Sequence, residues 1–355
     1  MTNVISFNEA VDLSNEFRKR HLLLGNGFSI ACKPKIFTYG SLFDNADFSQ
    51  NPNLPKVFEA LQTTDFEVAI RSLEASAALA SIYSSSGTSA EVAMRKDAQD
   101  LKSILIETVT RNHPDGPFDI DEDEFFACRQ FLANFIGPDV SGNVYTLNYD
   151  LLLYWTVMHN EFSDGSVVDI KSIDGFGDDE KTAKNDYVTW QGEGSRMHSN
   201  IHYLHGALHL FDAGKELQKF TWIRKDERLK DQSWNAMQNG KLPLFVAEGA
   251  TDQKASKIQH HGYLFQCLKS FRAQVDTIKT SIFIHGHSLA LNDTHILKEI
   301  VRGRCKRVFV SLHGSPDSVS NQGIIKQAYL IAEERGYIYP LEVTFYSAES
   351  AHVWG

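Results

Sequence analysis

The chain has 355 residues, of which 42% are hydrophobic and 23% charged, and its formal net charge is −10. This composition excludes a collagen-like, coiled-coil or largely disordered protein, and the acidic balance argues against a surface covered with phosphate contacts. No apolar run approaches the roughly 20 residues of a membrane span, and the first residues do not predict a signal peptide. The four cysteines are widely separated and predict neither a disulfide framework nor a zinc ribbon. We therefore expect a cytoplasmic, metal-free α/β protein.

The first predicted element is a strand that is buried on both faces. Its signal is the apolar run of residues 21–24, which leads directly into a glycine, as is typical of a parallel sheet. Helical periodicity follows, because apolar residues recur at spacings of three and four over residues 66–73 and 101–109. The serine-rich residues 84–87 separate these two helices. We therefore expect residues 56–136 to form a helical insertion between the first and the second strand.

The remainder of the chain predicts more strands and helices. Further strands are expected at five places, residues 143–147, 201–204, 208–211, 220–223 and 244–247. Helices are expected over residues 150–159 and 255–275, and loops with short antiparallel strands over residues 160–200. The last third alternates between strand and helix, with strands at 281–285, 307–312 and 341–346 and helices at 294–301 and 324–335. This alternation predicts an α/β fold, a Rossmann-like, mostly parallel sheet with helices on both faces, in one domain over residues 1–355.

Two predicted strands end in short polar motifs. Gly25-Asn26-Gly27-Phe28-Ser29 follows the first strand, and Thr146-Leu147-Asn148-Tyr149-Asp150 closes the second. Ligands of open α/β sheets bind at the carboxyl ends of the strands, where glycines let the backbone approach a phosphate. A tight turn explains the first motif equally well, however, and a helix N-cap at Asp150 explains the second. Neither motif decides the function alone.

Two later strands end in the same way. His205-Gly206 follows the strand at residues 201–204, and Gly286-His287-Ser288-Leu289 follows the strand at 281–285, with Asn292-Asp293 opening the next helix. A hydrogen-bonded structural histidine explains the first of these motifs without any catalysis, and a glycine turn with an N-cap explains the second.

Four histidines are spaced as metal ligands on a helix would be, namely His198, His202, His205 and His209. The glycine after His205 and the alternating neighbours favour a strand here, and a strand places these side chains on different faces. We therefore predict no metal site.

Taken in their order along the chain, the four motifs resemble those of sirtuins: Gly-Ala-Gly-Ile-Ser, Thr-Gln-Asn-Ile-Asp, the catalytic His-Gly and Gly-Thr-Ser-Leu. The chain resembles the sirtuin-like NAD hydrolases of bacterial anti-phage defence. Residues 243–254, with Val246, Glu248 and Gly249, also resemble a large bacterial family of unknown function. Sirtuin deacylases carry a zinc module built from two cysteine pairs, which this sequence lacks. The resemblance therefore implies NAD binding rather than lysine deacylation.

The activity that the resemblance implies is hydrolysis of NAD, as substrate, at the nicotinamide–ribose bond to give nicotinamide and ADP-ribose, with no zinc or other cofactor. Nicotinamide leaves as a neutral pyridine, so no carboxylic acid has to protonate it as in ordinary glycoside hydrolysis. His205 would act as the general base, Asn148 would orient the ribose or the water, and Asp150 would hold the carboxamide of nicotinamide.

The resemblance also implies binding residues and partners. The NAD-binding residues would be those of the two glycine turns and the helix start that follows them: Gly25, Asn26, Gly27, Phe28, Ser29, Gly286, His287, Ser288 and Asn292. Backbone N–H groups of the first turn would cradle the pyrophosphate. Because unregulated NAD hydrolysis would poison the host, activity in an antiviral, abortive-infection role would be gated by homo-oligomer formation or by a HerA-type ring ATPase.

Two alternatives stand beside this hypothesis. A regulatory module could bind NAD or ADP-ribose without cleaving it, and would then need neither His205 nor Asn148 for catalysis. A nucleic-acid-binding subunit rests only on the short basic run of residues 302–307, which is also typical of a solvated helix end. We therefore expect no direct nucleic-acid binding.

Overall fold

The computed structural model describes residues 2–83, 88–177, 187–192, 198–221, 227–238, 241, 243–246 and 251–355. The strands of the described residues are, in chain order, β1 Val4–Ile5, β2 Lys19–Leu24, β3 Val144–Thr146, β4 Phe176–Gly177, β5 Tyr187–Trp190, β6 Ile201–Tyr203, β7 Gly206–Asp212, β8 Leu217–Phe220, β9 Pro243–Phe245, β10 Thr280–His285, β11 Arg307–Leu312 and β12 Glu342–Ser347. The α-helices are α1 Phe7–Ser14, α2 Gly27–Cys32, α3 Pro34–Phe37, α4 Tyr39–Asn45, α5 Leu54–Leu61, α6 Phe66–Tyr83, α7 Thr88–Asn112, α8 Glu122–Ile136, α9 Leu152–Met158, α10 Leu229–Gln238, α11 Thr251–His260, α12 Gly262–Val275, α13 Thr294–Arg302 and α14 Val319–Arg335.

Seven of the strands form one parallel sheet, in the order β1-β12-β11-β10-β2-β3-β6. From β2 the chain proceeds outward to β3 and β6, and then from β10 outward in the other direction to β11 and β12. The order therefore reverses between β2 and β10, which is the switch point at which doubly wound sheets bind ligands. The register places His285, Leu24, Thr146 and Tyr203 side by side at the carboxyl ends of four neighbouring strands. Their following loops consequently meet at one edge.

Helices cover both faces of this sheet, as the sequence predicts. On one face α8 packs Phe135 against Phe283 of β10, with ring centroids 5.2 Å apart. On the other face α12 places Phe271 5.0 Å from Tyr145 of β3. The central strands are buried on both sides because every residue of β10 is buried, in keeping with their continuous apolar sequence. The α/β, Rossmann-like prediction is confirmed.

The stretch predicted as a helical insertion, residues 56–136, is helical in the structure, although the turn expected at residues 84–87 lies outside the described residues. α6 and α7 pack against each other. α8, in contrast, contacts β2 and belongs to the sheet, because it is the crossover helix between the parallel strands β2 and β3. The helices that stand apart from the sheet therefore end before α8.

The remaining strands form a second, antiparallel sheet in the order β4-β5-β8-β7-β9. The short antiparallel strands expected before residue 200 are present as β4 and β5. The predicted start of the strand at residues 220–223 is wrong. β8 begins at Leu217, which pairs with Asp212 of β7. β9 overlaps the first part of the strand predicted at residues 244–247, and Ala247 lies outside the described residues.

Three further differences have local causes. β1 is missed by the sequence because only two residues pair with β12. The helix predicted over residues 255–275 is two helices, since His261 is extended (φ −108°, ψ 116°) and breaks it. α14 begins five residues earlier than predicted, where Ser318 caps it by accepting a hydrogen bond from the Asn321 backbone N–H.

All four cysteines are buried and free. No described helix combines the length and the apolar character that crossing a bilayer would require.

Candidate functional site

A cavity of about 930 Å³ opens at the carboxyl edge of the parallel sheet, above the switch point. Its walls bring together all but two of the side chains and turns that the sequence predicts for the site: Gly25, Asn26, Gly27, Asn148, Asp150, His205, Gly286, His287, Ser288 and Asn292. These residues come from four strand ends separated by up to 267 positions in the sequence, as the difference between 292 and 25 shows. Whether they bind NAD remains a prediction.

Phe28 and Ser29 are the two predicted binding residues that do not line the cavity. Both are fully buried. Phe28 packs its ring against Trp354, with centroids 5.0 Å apart, and its carbonyl accepts a hydrogen bond from Trp354 Nε1. Phe28 thus belongs to the core, and Ser29 lies one layer below the cavity wall, where it holds other side chains.

The two glycine turns pack directly against each other. The N–H of Gly25 donates to the carbonyl of His285 at 2.9 Å, and the N–H of Gly27 donates to that of Gly286 at 2.7 Å. A Cβ atom at Gly286, whose φ is +68°, would lie 2.5 Å from the backbone nitrogen of Phe28. The glycines are therefore required by loop–loop contact. The expectation that the N–H groups of Gly25 and Gly27 cradle a pyrophosphate is wrong, because both are already bonded.

Other N–H groups of these turns are available to a ligand. Within the described part of the chain, the backbone N–H groups of Asn26, His287 and Ser288 donate no hydrogen bond to the protein. They lie on the two facing loops at the switch point, and all three residues line the cavity. Unpaired N–H groups on adjacent turns form a concavity of the kind that binds anions.

Asn148, Ser29 and Asp150 form a connected chain of hydrogen bonds under one end of the cavity. Asn148 Nδ2 donates to the carbonyl of Gly25 at 3.0 Å and to Ser29 Oγ at 2.8 Å, and Ser29 Oγ donates to Asp150 Oδ2 at 2.5 Å. Asp150 Oδ1 accepts from the N–H of Leu152, but the N-cap of α9 is Leu151, so the prediction that Asp150 is the N-cap is wrong by one residue. Both N–H groups of Asn148 are thus committed, and its carbonyl oxygen is the atom that a ligand could bind without breaking a bond.

Burial sets the ionisation of Asp150. Because the carboxyl is removed from water, its pKa is raised above the ordinary range, and the hydrogen bonds from Ser29 and Leu152 offset this only in part. A buried carboxyl with raised pKa and two internal bonds is suited to orienting a neighbour.

His205 lies at the same end of the cavity and pairs with a second histidine. Its Nε2 atom is 2.9 Å from Nε2 of His295, and 3.9 Å from Oδ1 of Asp293. Burial holds the pKa of His205 well below the ordinary value near 6.5 and lowers the pKa of His295 to about 4. Both rings are therefore neutral at pH 7, the state in which an imidazole can accept a proton.

Asp293 is the anionic centre beside these histidines. Its Oδ2 accepts a hydrogen bond from Nε2 of His287 at 3.0 Å, and its Oδ1 accepts one from Nζ of Lys254 at 3.2 Å. Burial alone would raise the pKa of Asp293, but the bond from His287 and the charge of Lys254 hold it well below its usual range. Nδ1 of His287 accepts from the N–H of Leu289, so the proton of this ring is on Nε2.

Lys254 joins the helical stretch to the sheet. This fully buried ammonium also donates to Glu67 Oε2 at 2.7 Å, and Glu67 lies at the start of α6. Asn292 Nδ2 donates to the same carboxylate oxygen at 2.5 Å. Burial raises the pKa of Glu67, against the opposing charge of Lys254. A buried cation between two carboxylates therefore fixes α6 over the cavity.

His205, Asp293 and His295 are also spaced as a metal-binding set, with one ligand atom from each within 4.8 Å of the others. The ammonium of Lys254 lies on the carboxylate oxygen that would bind the metal, and its charge opposes a cation there. His198, His202 and His209 do not join this group. His202 lies against Tyr145, and His209 lies against Tyr154.

The opposite end of the cavity is formed by the ends of β11 and β12. Ser311, Asn321 and Glu349 line it. Asn321 Nδ2 donates to the carbonyls of His313 and Ser315, each at 2.8 Å, and Glu349 Oε1 accepts from the N–H of Gly314 at 2.6 Å. Bonds from the Gly314 backbone and Ser347 outweigh burial and keep the pKa of Glu349 below its ordinary value, so the carboxylate is ionised. The cavity therefore has an anionic, polar end at β11 and β12, on the other side of the switch point from β6 and His205.

Sequence reasoning missed several residues of the site, including Glu67, Lys254, His295 and Glu349. Asp293 was identified only as part of a helix start, and His295, two residues further on, could have been noticed from its closeness to the same glycine turn. Glu67 and Lys254 carry no such signal, since each is an ordinary charged residue of a helix until the fold buries it.

The basic run of residues 302–307 contains two arginines whose side chains form ion pairs with acidic residues. Arg304 pairs with Asp276, at 2.8 Å, and Arg307 pairs with Glu16 and Glu342. These ion pairs neutralise two of its charges.

Residues 22–354 match the family described as Domain of unknown function (DUF4917), so the chain belongs to this family over nearly its whole length. No match to a curated protein was found.

Proposed function

We propose that this DUF4917 protein binds NAD in the cavity and hydrolyses its nicotinamide–ribose bond. The observation that carries the proposal is the position of His205 and Asn148, which come from neighbouring strand ends and line the same end of one cavity. A cavity of about 930 Å³ lies within the size range of small-molecule and cofactor sites, and the free N–H groups of Asn26, His287 and Ser288 lie between its two ends. An extended dinucleotide would place its phosphates there.

The chemistry needs few groups. As nicotinamide leaves, positive charge develops on the ribose, and a water molecule or a ribose hydroxyl must lose a proton as the new bond forms. His205 is neutral and can take this proton. The carbonyl oxygen of Asn148 would align the attacking water or the ribose, and Asp150 would hold Asn148 in place through Ser29.

The wider assignment rests on the resemblance to sirtuin-like defence proteins. We propose a cytoplasmic antiviral effector whose activity is gated by homo-oligomer formation or by a HerA-type ring ATPase. The opening of the cavity at the sheet edge supports ligand access, and the gating follows from the cost of unregulated NAD loss to the host cell.

A non-catalytic module that binds NAD or ADP-ribose is the second candidate. It is favoured by the fact that Asn148 and Asp150 make structural hydrogen bonds, which would account for both side chains without catalysis.

The experiment incubates the purified protein with NAD and measures free nicotinamide by chromatography, with His205→Ala and Asn148→Ala as test variants. His209→Leu is the matched control, because His209 is a buried histidine outside the cavity. We expect both test variants to lose at least about 100-fold in rate and the control to keep its rate. Calorimetry with NAD and ADP-ribose separates the candidates: binding without nicotinamide release by the wild type supports the module, and undiminished release by both test variants contradicts the catalytic assignment.

A further inference from the structure

We propose that His295 is a positioning residue that fixes the tautomer of His205 and shares the charge it gains during the reaction. The inference rests on the proposed function, since it assigns a role within the same site. His295 lies on α13 and, unlike His205, is not part of the cavity wall. It can therefore act only through His205.

The two rings have the geometry of a hydrogen bond. Their Nε2 atoms are 2.9 Å apart, their centroids are 5.1 Å apart and their planes are inclined by 18°. Rings that meet edge to edge in nearly one plane give this combination, because each centroid lies one ring radius behind its nitrogen. The contact is thus directional, with one nitrogen donating its proton to the lone pair of the other.

The surroundings decide which ring donates. Oδ1 of Asp293 lies 3.9 Å from Nε2 of His205, and a nearby carboxylate favours a proton on that nitrogen. With Nε2 protonated and donating to His295, the lone pair of His205 is on Nδ1. Nδ1 is also the nitrogen that the contact with His295 leaves for a ligand. The pair therefore prepares His205 to accept a proton from the cavity side.

The same contact with His295 partly compensates for the low basicity that burial gives His205. When a proton moves from the oxygen of water or of a ribose hydroxyl to Nδ1, His205 becomes an imidazolium. Its Nε2–H bond to His295 then becomes charge-assisted and stronger. The charged groups that face the ring are Asp293, which attracts the new charge, and Lys254, which opposes it while binding Asp293. The titratable ring of His287 also faces His205 and binds Asp293 through Nε2. His295 is the uncharged acceptor that stabilises the cation without neutralising Asp293. The proton returns to solvent after the reaction.

Two substitutions at one position separate this role from a merely structural one. The side-chain oxygen of His295→Gln can accept the bond from His205 Nε2, whereas His295→Ala cannot. We expect His295→Ala to lower kcat for nicotinamide release about 10–100-fold with KM changed by less than about threefold, and His295→Gln to restore most of kcat. Equal losses in the two variants, a loss confined to KM, or an unchanged kcat in His295→Ala would each overturn the proposal. Circular dichroism verifies that both variants are folded.

A measurement without turnover keeps the proposal independent of the enzymatic assignment. NMR of the wild-type protein with ¹⁵N-labelled histidines, at pH 7, reports which ring nitrogens carry protons. We expect Nε2 of His205 to be protonated and Nε2 of His295 to be unprotonated. The reverse assignment refutes the proposal even if the wild type releases nicotinamide. If the wild type releases none and the expected tautomers are found, the proposed function fails while the histidine pair stands.

Discussion

Mild acid is expected to destabilise this fold through its buried histidines. Seven buried histidines of the described residues have a pKa far below the ordinary value, and they are distributed over the sheet, the helices and the cavity. Burial lowers the pKa to about 3 in His21 and His113, to about 4 in His202, His285 and His295, and well below 6.5 in His205 and His209. In the unfolded chain these side chains regain a pKa of about 6.5.

The sign and the size of the effect follow from proton uptake. Between pH 7.5 and 5.5 the unfolded chain protonates each of these histidines and the folded chain does not, which costs about 1.4 kcal/mol per histidine. Three carboxyls act in the opposite direction, because burial raises the pKa of Asp65, Glu67 and Asp150 and lets the folded state take up protons first. Unfolding then takes up about four to seven protons, and the free energy of unfolding falls by about 5–10 kcal/mol, comparable to the whole stability of many proteins.

The assay is urea unfolding followed by circular dichroism at pH 7.5, 6.5 and 5.5. His209→Leu is the internal test, because neither ring nitrogen of His209 has a hydrogen-bond partner among the described residues and its ring lies between Tyr154 and Tyr203. The substitution removes a titrating group and no hydrogen bond, so the loss over this pH range should shrink by about 1.4 kcal/mol. A free energy of unfolding that stays constant from pH 7.5 to 5.5, or a variant that loses as much as the wild type, would refute the reasoning.

Three further predictions concern single positions. Gly286→Ala should lower the free energy of unfolding by about 2–4 kcal/mol in urea titration, because of its positive φ and the close backbone contact; Gly314→Ala, with a similar φ of +72° and open space around it, should cost only about 1 kcal/mol. Equal costs would contradict the loop–loop argument. Lys254→Met should cost about 3–5 kcal/mol in the same assay, since two mostly buried carboxylates lose their fully buried cation, and a cost below about 1 kcal/mol would show that water already reaches them. If the adenosine of the proposed NAD ligand binds at the Glu349 end of the cavity, the ionised carboxylate there disfavours a 2′-phosphate. Glu349→Gln should then raise the affinity for NADP relative to NAD about tenfold by calorimetry, and an unchanged ratio would contradict this orientation of NAD.

The architecture of the parallel sheet could be read from the sequence because its signals are local. The largely apolar residues 307–312 identify β11 without error at either end, and the glycine turns mark where several of the strands finish. The second sheet was harder to predict. β4 and β8 are short and only in part apolar, so their positions are set by pairing with β5 and β7 rather than by their own composition.

The site was predictable mainly where a residue lies two positions beyond the end of a strand. Asn148, His205 and His287 meet that condition, and the structure brings them to one cavity. The structural role of the glycines could not be predicted in the same way. Gly25 looks like a phosphate-binding residue in the sequence, but the loop that it contacts is about 260 residues away, and only the fold shows that its N–H is already used. Lys254 is the extreme case, because its burial depends on two carboxylates from distant segments.

The packing of the turns at Gly25 and Gly286 against each other limits how a ligand can enter the cavity. The turn at Gly25 donates two backbone hydrogen bonds to the turn at Gly286, so we expect the two turns to move only together. We therefore expect a molecule as long as a dinucleotide to enter and leave past the helices that carry Tyr39 and Phe66. The rate of ligand exchange would then depend on how readily these helices move.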